Sequence, residues 1–365
     1  MQKASSSETT SLHAGQALPS CSPQLPQNSA PGRFSKPQEA HSVVAPGTTS
    51  SLGPLEGETA SRPGLVEVLL VWALFAAVAV AVWATYTWVS AEELYNVSGS
   101  GFVAASGRVL VLLNYPLALV AIALLGILAA RLPGRLALLT VPAAALCAVV
   151  VWPGVVEQDD LDAKPVNALP ALGVLIAVVL TGVALRAGGI GASRPFGGGW
   201  DLARAVLAAV VVLGSLPWLL ADVGVYVGSI PGLGAPFMSD ELTPEPGHPS
   251  LRAVHLGHHH GLDGTLVALA ALVLSRVVAD VRPRLLRLAL GFYVALMLVY
   301  GLANALQDFW LEQLVKRGTT DLEIPGMTVP KASWAWAAIL AAALLIHFAA
   351  GRVGRFGRPP EEGVP

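Results

Sequence analysis

The chain has 365 residues, 54% of them hydrophobic and only 13% charged, with a formal net charge of -2 and a mean hydropathy of +0.63. Soluble domains carry about a quarter of charged residues, so a water-soluble globule would have to expose its apolar surplus. No basic block interleaved with aromatics points to nucleic acid, and Cys21 and Cys147 supply neither a disulfide framework nor a thiolate metal cluster.

Residues 1–63 are rich in Ser, Pro, Gln and Thr without an apolar period, which predicts a disordered tail. No apolar core of a signal peptide follows the start, so the first membrane run is expected to stay in the mature protein. Apolar runs long enough for about 30 Å of hydrocarbon then recur eight times. They fall near 66–89, 108–130, 136–153, 168–185, 203–223, 261–280, 287–307 and 332–350. The expectation is an all-α polytopic membrane domain over 64–351, followed by a basic tail with prolines over 352–365.

Orientation follows from the alternate gaps. One set holds Arg131, Arg135, Arg186, Arg194, Arg276, Arg282, Arg284, Arg287, Arg352, Arg355 and Arg358. The other holds Lys164, Arg252, Lys316, Arg317 and Lys331, together with most of the acids. The positive-inside rule therefore puts both termini in the cytoplasm. Trp88, Trp152, Trp218, Trp310 and Trp334 fall near span ends, as an interfacial belt requires. Trp72 and Trp83 lie inside the first span and need packing partners instead. "NVS" at 96–98 matches a glycosylation acceptor on the outer side.

In the second span, Pro116 frees a backbone carbonyl and Asn114 is placed to bond a neighbouring helix or line a pocket. Glu67 and Asp280 stand at inner span ends, where an interfacial position or pairing with nearby arginines is expected. The gap 224–260 contains "IPGLGAPF", apolar enough to lie on the membrane surface, and its Gly and Pro argue against a continuous helix.

That gap ends in "HPSLRAVHLGHHHGLDG", with five of the eight histidines. Ser250 is expected to cap a helix running into the sixth span. A continuous helix would place His255, His259 and Asp263 on one face at i, i+4 and i+8, with His258 beside them and His260 next in the chain. Neutral imidazoles with a carboxylate suit zinc, copper or iron, or a haem. Two alternatives stay open: a polar collar where the helix leaves lipid, and a proton-transfer or substrate role without metal. Gly257, Gly261 and Gly264 form either a thin packing face or a break.

"HLGHH" resembles one histidine box of the integral-membrane desaturases and hydroxylases, carried by His255, His258 and His259. The resemblance implies iron ligation. That family holds two irons with several boxes facing the cytoplasm, whereas His13, His41 and His347 complete no second box here, so its activity is not carried over.

Further ligands must come from the same side. Asp222 after the fifth span and Asp308 after the seventh are available, and His248, Asp240 and Glu241 can reach from the loop. Asn114 and a stripe of Tyr300, Asn304, Gln307 and Asp308 are candidate pocket residues, since such stripes face other helices or water rather than lipid. In the leading reading the histidines hold an ion, while Asp263 or Asp222 completes the shell or accepts a proton from bound water in a redox or hydrolytic reaction. A transporter or metal-handling channel, and a structural or assembly subunit, are the alternatives. Membrane lipid, a small molecule or ion from outside, and subunits of a membrane complex are the partners considered. High Ala, Gly, Pro and Arg with few Lys suits the plasma membrane of a high-GC prokaryote.

Overall fold

A computed structural model describes residues 63–88, 101–152, 165–191, 195–197, 199–216, 219, 242–245, 248–252, 259–315, 318–328 and 330–356, with 242–245, 248–252, 259–260 and 351–356 as backbone alone. Among the described residues the fold is all-α apart from one small hairpin. Its helices are α1 (Val66–Trp88), α2 (Gly101–Ala129), α3 (Gly134–Leu138), α4 (Thr140–Ala148), α5 (Ala168–Gly188), α6 (Gly199–Gly214), α7 (His259–Leu274), α8 (Arg284–Trp310) and α9 (Trp334–Phe356). Among the described residues, five helical segments are long and apolar enough to cross a membrane, and two shorter apolar helices lie at 261–274 and 334–350. This is the architecture of a polytopic membrane protein: long apolar helices with interiors of buried Leu, Val and Ala and large apolar side chains on their outer faces.

A helix lies at each of the eight apolar runs, the fifth being described as helix over Gly199–Gly214. The third is broken: α3 stops at Leu138 and α4 starts at Thr140. Pro142 explains the break, because a proline ring clashes with the carbonyl four residues earlier and supplies no N–H for it. α2 begins at Gly101 rather than at Arg108, so Arg108 is not at a span edge but lies two turns inside the helix, buried. Pro116 sits within α2 without ending it.

α2 is the most enclosed helix and the centre of the packing, touching α1, α4, α5, α7 and α8. Polar groups tie its neighbours together inside the apolar core. Trp72 on α1 donates from Nε1 to Thr181 Oγ1 of α5 at 3.1 Å, and Trp83 donates to Ser106 Oγ of α2 at 3.3 Å. These bonds are the packing reason for two tryptophans inside a span. Tyr293 on α8 donates to the Leu119 carbonyl of α2 at 2.8 Å.

One end of the bundle is closed by charge. Arg276, just after α7, donates from Nε to Glu67 Oε1 of α1 at 3.2 Å and pairs through Nη1 with Asp201 Oδ1 of α6 at 2.8 Å. Arg204 pairs with the same Asp201 oxygen at 3.0 Å and donates to Ser275 Oγ at 2.7 Å. Phe196 lies under the Arg276 guanidinium, 5.3 Å from the ring centroid. Partial desolvation works against the Asp201 charge, but the Gly197 N–H, Arg276 and Arg204 overcome it and hold the carboxyl below its ordinary range. At the same end Arg131 donates to the carbonyls of Pro63, Gly188 and Gly189. Gly189 has φ +62, a backbone conformation that suits glycine, and it ends α5 and brings these carbonyls round.

Between α6 and α7 in the chain lie β1 (Leu242–Glu245) and β2 (His248–Arg252), an antiparallel pair with Leu242 opposite Arg252 and Glu245 opposite His248. This corrects the expected helix start at Ser250, which lies in β2. Pro249 biases His248 toward extended backbone, and a two-stranded ladder leaves each strand an open edge where Pro244 and Pro249 need no N–H partner. α7 is described from His259, one turn before Asp263, and the expected shared face with His255 falls outside the described residues. Gly264 behaves as a thin face and not as a break, since α7 runs through it.

Candidate functional site at the Asp263 end

α7 and α8 cross with their backbones in close contact. A Cβ on Gly264 would stand 2.6 Å from the Gly301 carbonyl and from the Ala305 nitrogen, and one on Gly301 would stand 2.6 Å from the Gly264 carbonyl. Only glycine at both positions allows this approach. The neighbours of these glycines, Asp263 and Tyr300, are thereby brought to the crossing. Asp263 is 1% exposed, and Tyr300, Asn304 and Asp308 recur along one buried face of α8 at i, i+4 and i+8. Arg108 is buried toward the same end of α2. Carboxylates at such depth are costly and mark functional positions in membrane proteins more often than surface acids do.

Around them the polar groups are bonded in a defined way. Asn114 donates from Nδ2 to the Asn167 carbonyl at 3.2 Å, at the entrance to α5, so it fixes a helix start. Tyr115 and Tyr300, from α2 and α8, both donate to the Thr328 carbonyl at 2.8 Å, and their oxygens lie 3.3 Å apart. Tyr300 is stacked on Trp336 of α9, with ring centroids 5.6 Å apart. Gln307 Oε1 accepts the Met327 N–H at 2.8 Å, and Trp310 Nε1 donates to the Leu322 carbonyl at 2.6 Å. The segment between α8 and α9 is thus folded back on the bundle end. On another face of α7, Thr265 Oγ1 donates to the Gly261 carbonyl at 2.8 Å and lies 2.6 Å from Ser215 Oγ, joining α7 to the end of α6.

Of the residues singled out from the sequence, Asp263, Tyr300, Asn304 and Asp308 are buried at this end, and Asn114 and Gln307 serve the bonds just described. His255, His258, Asp222, Asp240 and Glu241 lie outside the described residues. His248 is placed as backbone in β2, and His259 and His260 as the backbone of the first turn of α7. Among the described residues, no group of three or more His, Cys, Asp or Glu is arranged to hold a metal ion. The sequence reading missed the role of Thr328 and its segment. The visible signal was "IPGMTVP", whose prolines and glycine forbid a helix and leave backbone groups for side chains to bond.

No protein-family model, no curated protein and no solved structure matches the chain.

Proposed function

We propose that the chain crosses the plasma membrane eight times with both termini in the cytoplasm, the Glu67 end inside and the Asp263 end outside. Helices at all eight apolar runs support this reading, together with the arginine excess in the gaps at the Glu67 end. The Asp263 end then serves as an extracytoplasmic site for a transition metal or metal cofactor, in support of a redox or hydrolytic reaction. One observation carries the proposal: two deeply buried carboxylates, Asp263 and Asp308, and the buried carboxamide of Asn304 sit at the bundle end where the histidine-rich segment enters α7.

The fit is partial within the described residues, because Asp263 and Asp308 are fewer donors than a closed shell needs. His255, His258, His259 and His260 complete the shell in this reading, with His259 standing one turn before Asp263 in α7. Asp263, or Asp222 from the end of the fifth span, orients an imidazole or takes up a proton. A bound ion supplies Lewis acidity or electron transfer there. The nine residues Leu266–Leu274 between Thr265 and Ser275 are wholly apolar, a rise of about 13 Å, which favours a site at one end over a transport path along α7.

Elemental analysis of the purified full chain tests the reading. Stoichiometric zinc, copper or iron that falls in His259→Ala and Asp263→Asn supports it. Metal content that is absent, or unchanged by both substitutions, removes it in favour of a packing or assembly role.

A further inference from the structure

We infer that the Glu67 end of the bundle is a binding surface for anionic phospholipid, whose phosphate is held by Arg135, Arg186, Arg282 and Arg284 and whose acyl chains lie on the leucines beside them; that the leaflet is the inner one rests on the orientation proposed above.

Charge at this end is out of balance. Among the described residues its acids are Glu67, Asp201 and Asp280, and arginines are far more numerous. Glu67 and Asp201 are taken up by Arg276 and Arg204, and Arg131 is committed to three carbonyls. No acid among the described residues pairs with Arg135, Arg186, Arg282 or Arg284, and all four are exposed.

Packing gathers these arginines. The bonds of Arg131 to the Gly188 and Gly189 carbonyls join the end of α2 to the end of α5, so Arg135 and Arg186 follow and precede one contact by a few residues. α8 is set against α2 at Gly126, where a Cβ would stand 2.6 Å from Leu290 Cδ2. From that contact the chain reaches Leu132 six residues on and α8 begins at Arg284 six residues back, each about 9 Å away, so the two run out at one level.

The start of α8 makes the imbalance costly. Its N-cap is Pro283, without a side-chain cap, and its first turn holds no acid. Arg282, Arg284 and Arg287 therefore crowd the positive end of the helix dipole, where acids are the stabilising residues. A negative headgroup against this surface relieves the repulsion.

The apolar half of such a partner is matched as well. Arg284 is followed by Leu285, 83% exposed, and Arg135 by Leu136, with Leu138, Leu139 and Leu288 exposed nearby. α3 buries none of its residues. Cations set beside leucines that face outward suit a molecule carrying both phosphate and hydrocarbon, and not a free anion.

The test titrates the purified full chain in neutral detergent with phosphatidylglycerol or with phosphatidylcholine of the same acyl chains, read by native mass spectrometry. Phosphatidylglycerol is expected to bind about tenfold or more tighter. Arg282→Gln with Arg284→Gln is expected to remove most of that preference, and the corresponding lysine pair to keep it. Arg135→Gln with Arg186→Gln, on different helices, is expected to weaken it too, so the test does not depend on the folding of one variant. Lys331→Gln, exposed and at the opposite end, is the control and is expected to change nothing. Equal affinity for the two lipids, or a preference that survives removal of all four arginines, overturns the proposal. Displacement of phosphatidylglycerol by equimolar inorganic phosphate overturns the lipid in favour of a free anion. Detergent has no sidedness, so a confirmed preference together with labelling of Arg282→Cys in intact cells overturns the inner leaflet and leaves the surface standing.

Discussion

Gly264 and Gly301 meet backbone to backbone, so closely that a Cβ on either would stand 2.6 Å from the other's carbonyl oxygen. Neither neighbour is the end of a flexible side chain, so relief requires moving a helix. Gly264→Ala and Gly301→Ala are each expected to destabilise the protein by about 1–3 kcal/mol, the range for overpacked cores. Gly182→Ala on α5, where nothing lies within 4 Å of the new methyl group, is the control and is expected to leave Tm unchanged or raise it. Thermal unfolding in detergent, followed by tryptophan fluorescence, checks all three.

Arg276 bridges two helices that reach it from different parts of the chain, α1 through Glu67 and α6 through Asp201. Its removal leaves two buried or half-buried carboxylates facing each other without their shared cation. Arg276→Gln is therefore expected to lower Tm more than Glu67→Gln, which removes one charge of the group and leaves the Asp201 pair in place. The same unfolding assay separates them, and equal effects would show that the bridge is not shared.

Asp201 makes that end sensitive to acid. Its carboxyl is held below its ordinary value of 3.8 in the folded protein, so the unfolded chain binds the proton first as pH falls. The resulting stabilisation is complete above that ordinary value and is lost as pH drops through the lower folded value. Tm is expected to fall below about pH 4, and the fall is expected to be shallower in Asp201→Asn. A pH series from about 7 to 3 on both proteins measures the difference.

The sequence made the helices legible because a bilayer imposes one strong rule: backbone groups must bond within the segment, so apolar runs become helices. The boundaries were less legible. "GFVAAS" is too mixed to register as lipid-facing, yet it forms the first turns of α2 and buries Arg108 within the helix. Ser250 followed by a histidine-rich run looked like a helix cap, but Pro244 and Pro249 favour extended backbone, and pairing of the two short strands took those residues instead. Periodicity alone exposed the polar face of Tyr300, Asn304 and Asp308. The bonds of Tyr115 and Tyr300 to Thr328 were hidden, because a carbonyl acceptor leaves no mark in the sequence.

Arg131 closes the Glu67 end by donating to three carbonyls, a task that needs the forked guanidinium. Arg131→Lys retains the charge but not the geometry, and it is expected to lower Tm nearly as far as Arg131→Ala. Full retention of Tm by the lysine variant would show that charge alone suffices.

The central claim is that the buried acids of α7 and α8 lie at the outer face of the membrane. Single cysteines at Leu322, which is exposed in the segment between α8 and α9, and at Arg282, just before α8, in a Cys21→Ser and Cys147→Ala background, report the two ends to an impermeant thiol reagent. The account predicts that Leu322→Cys is labelled in intact cells and Arg282→Cys only after the membrane is opened. Labelling of Arg282→Cys in intact cells, with Leu322→Cys protected, would contradict it.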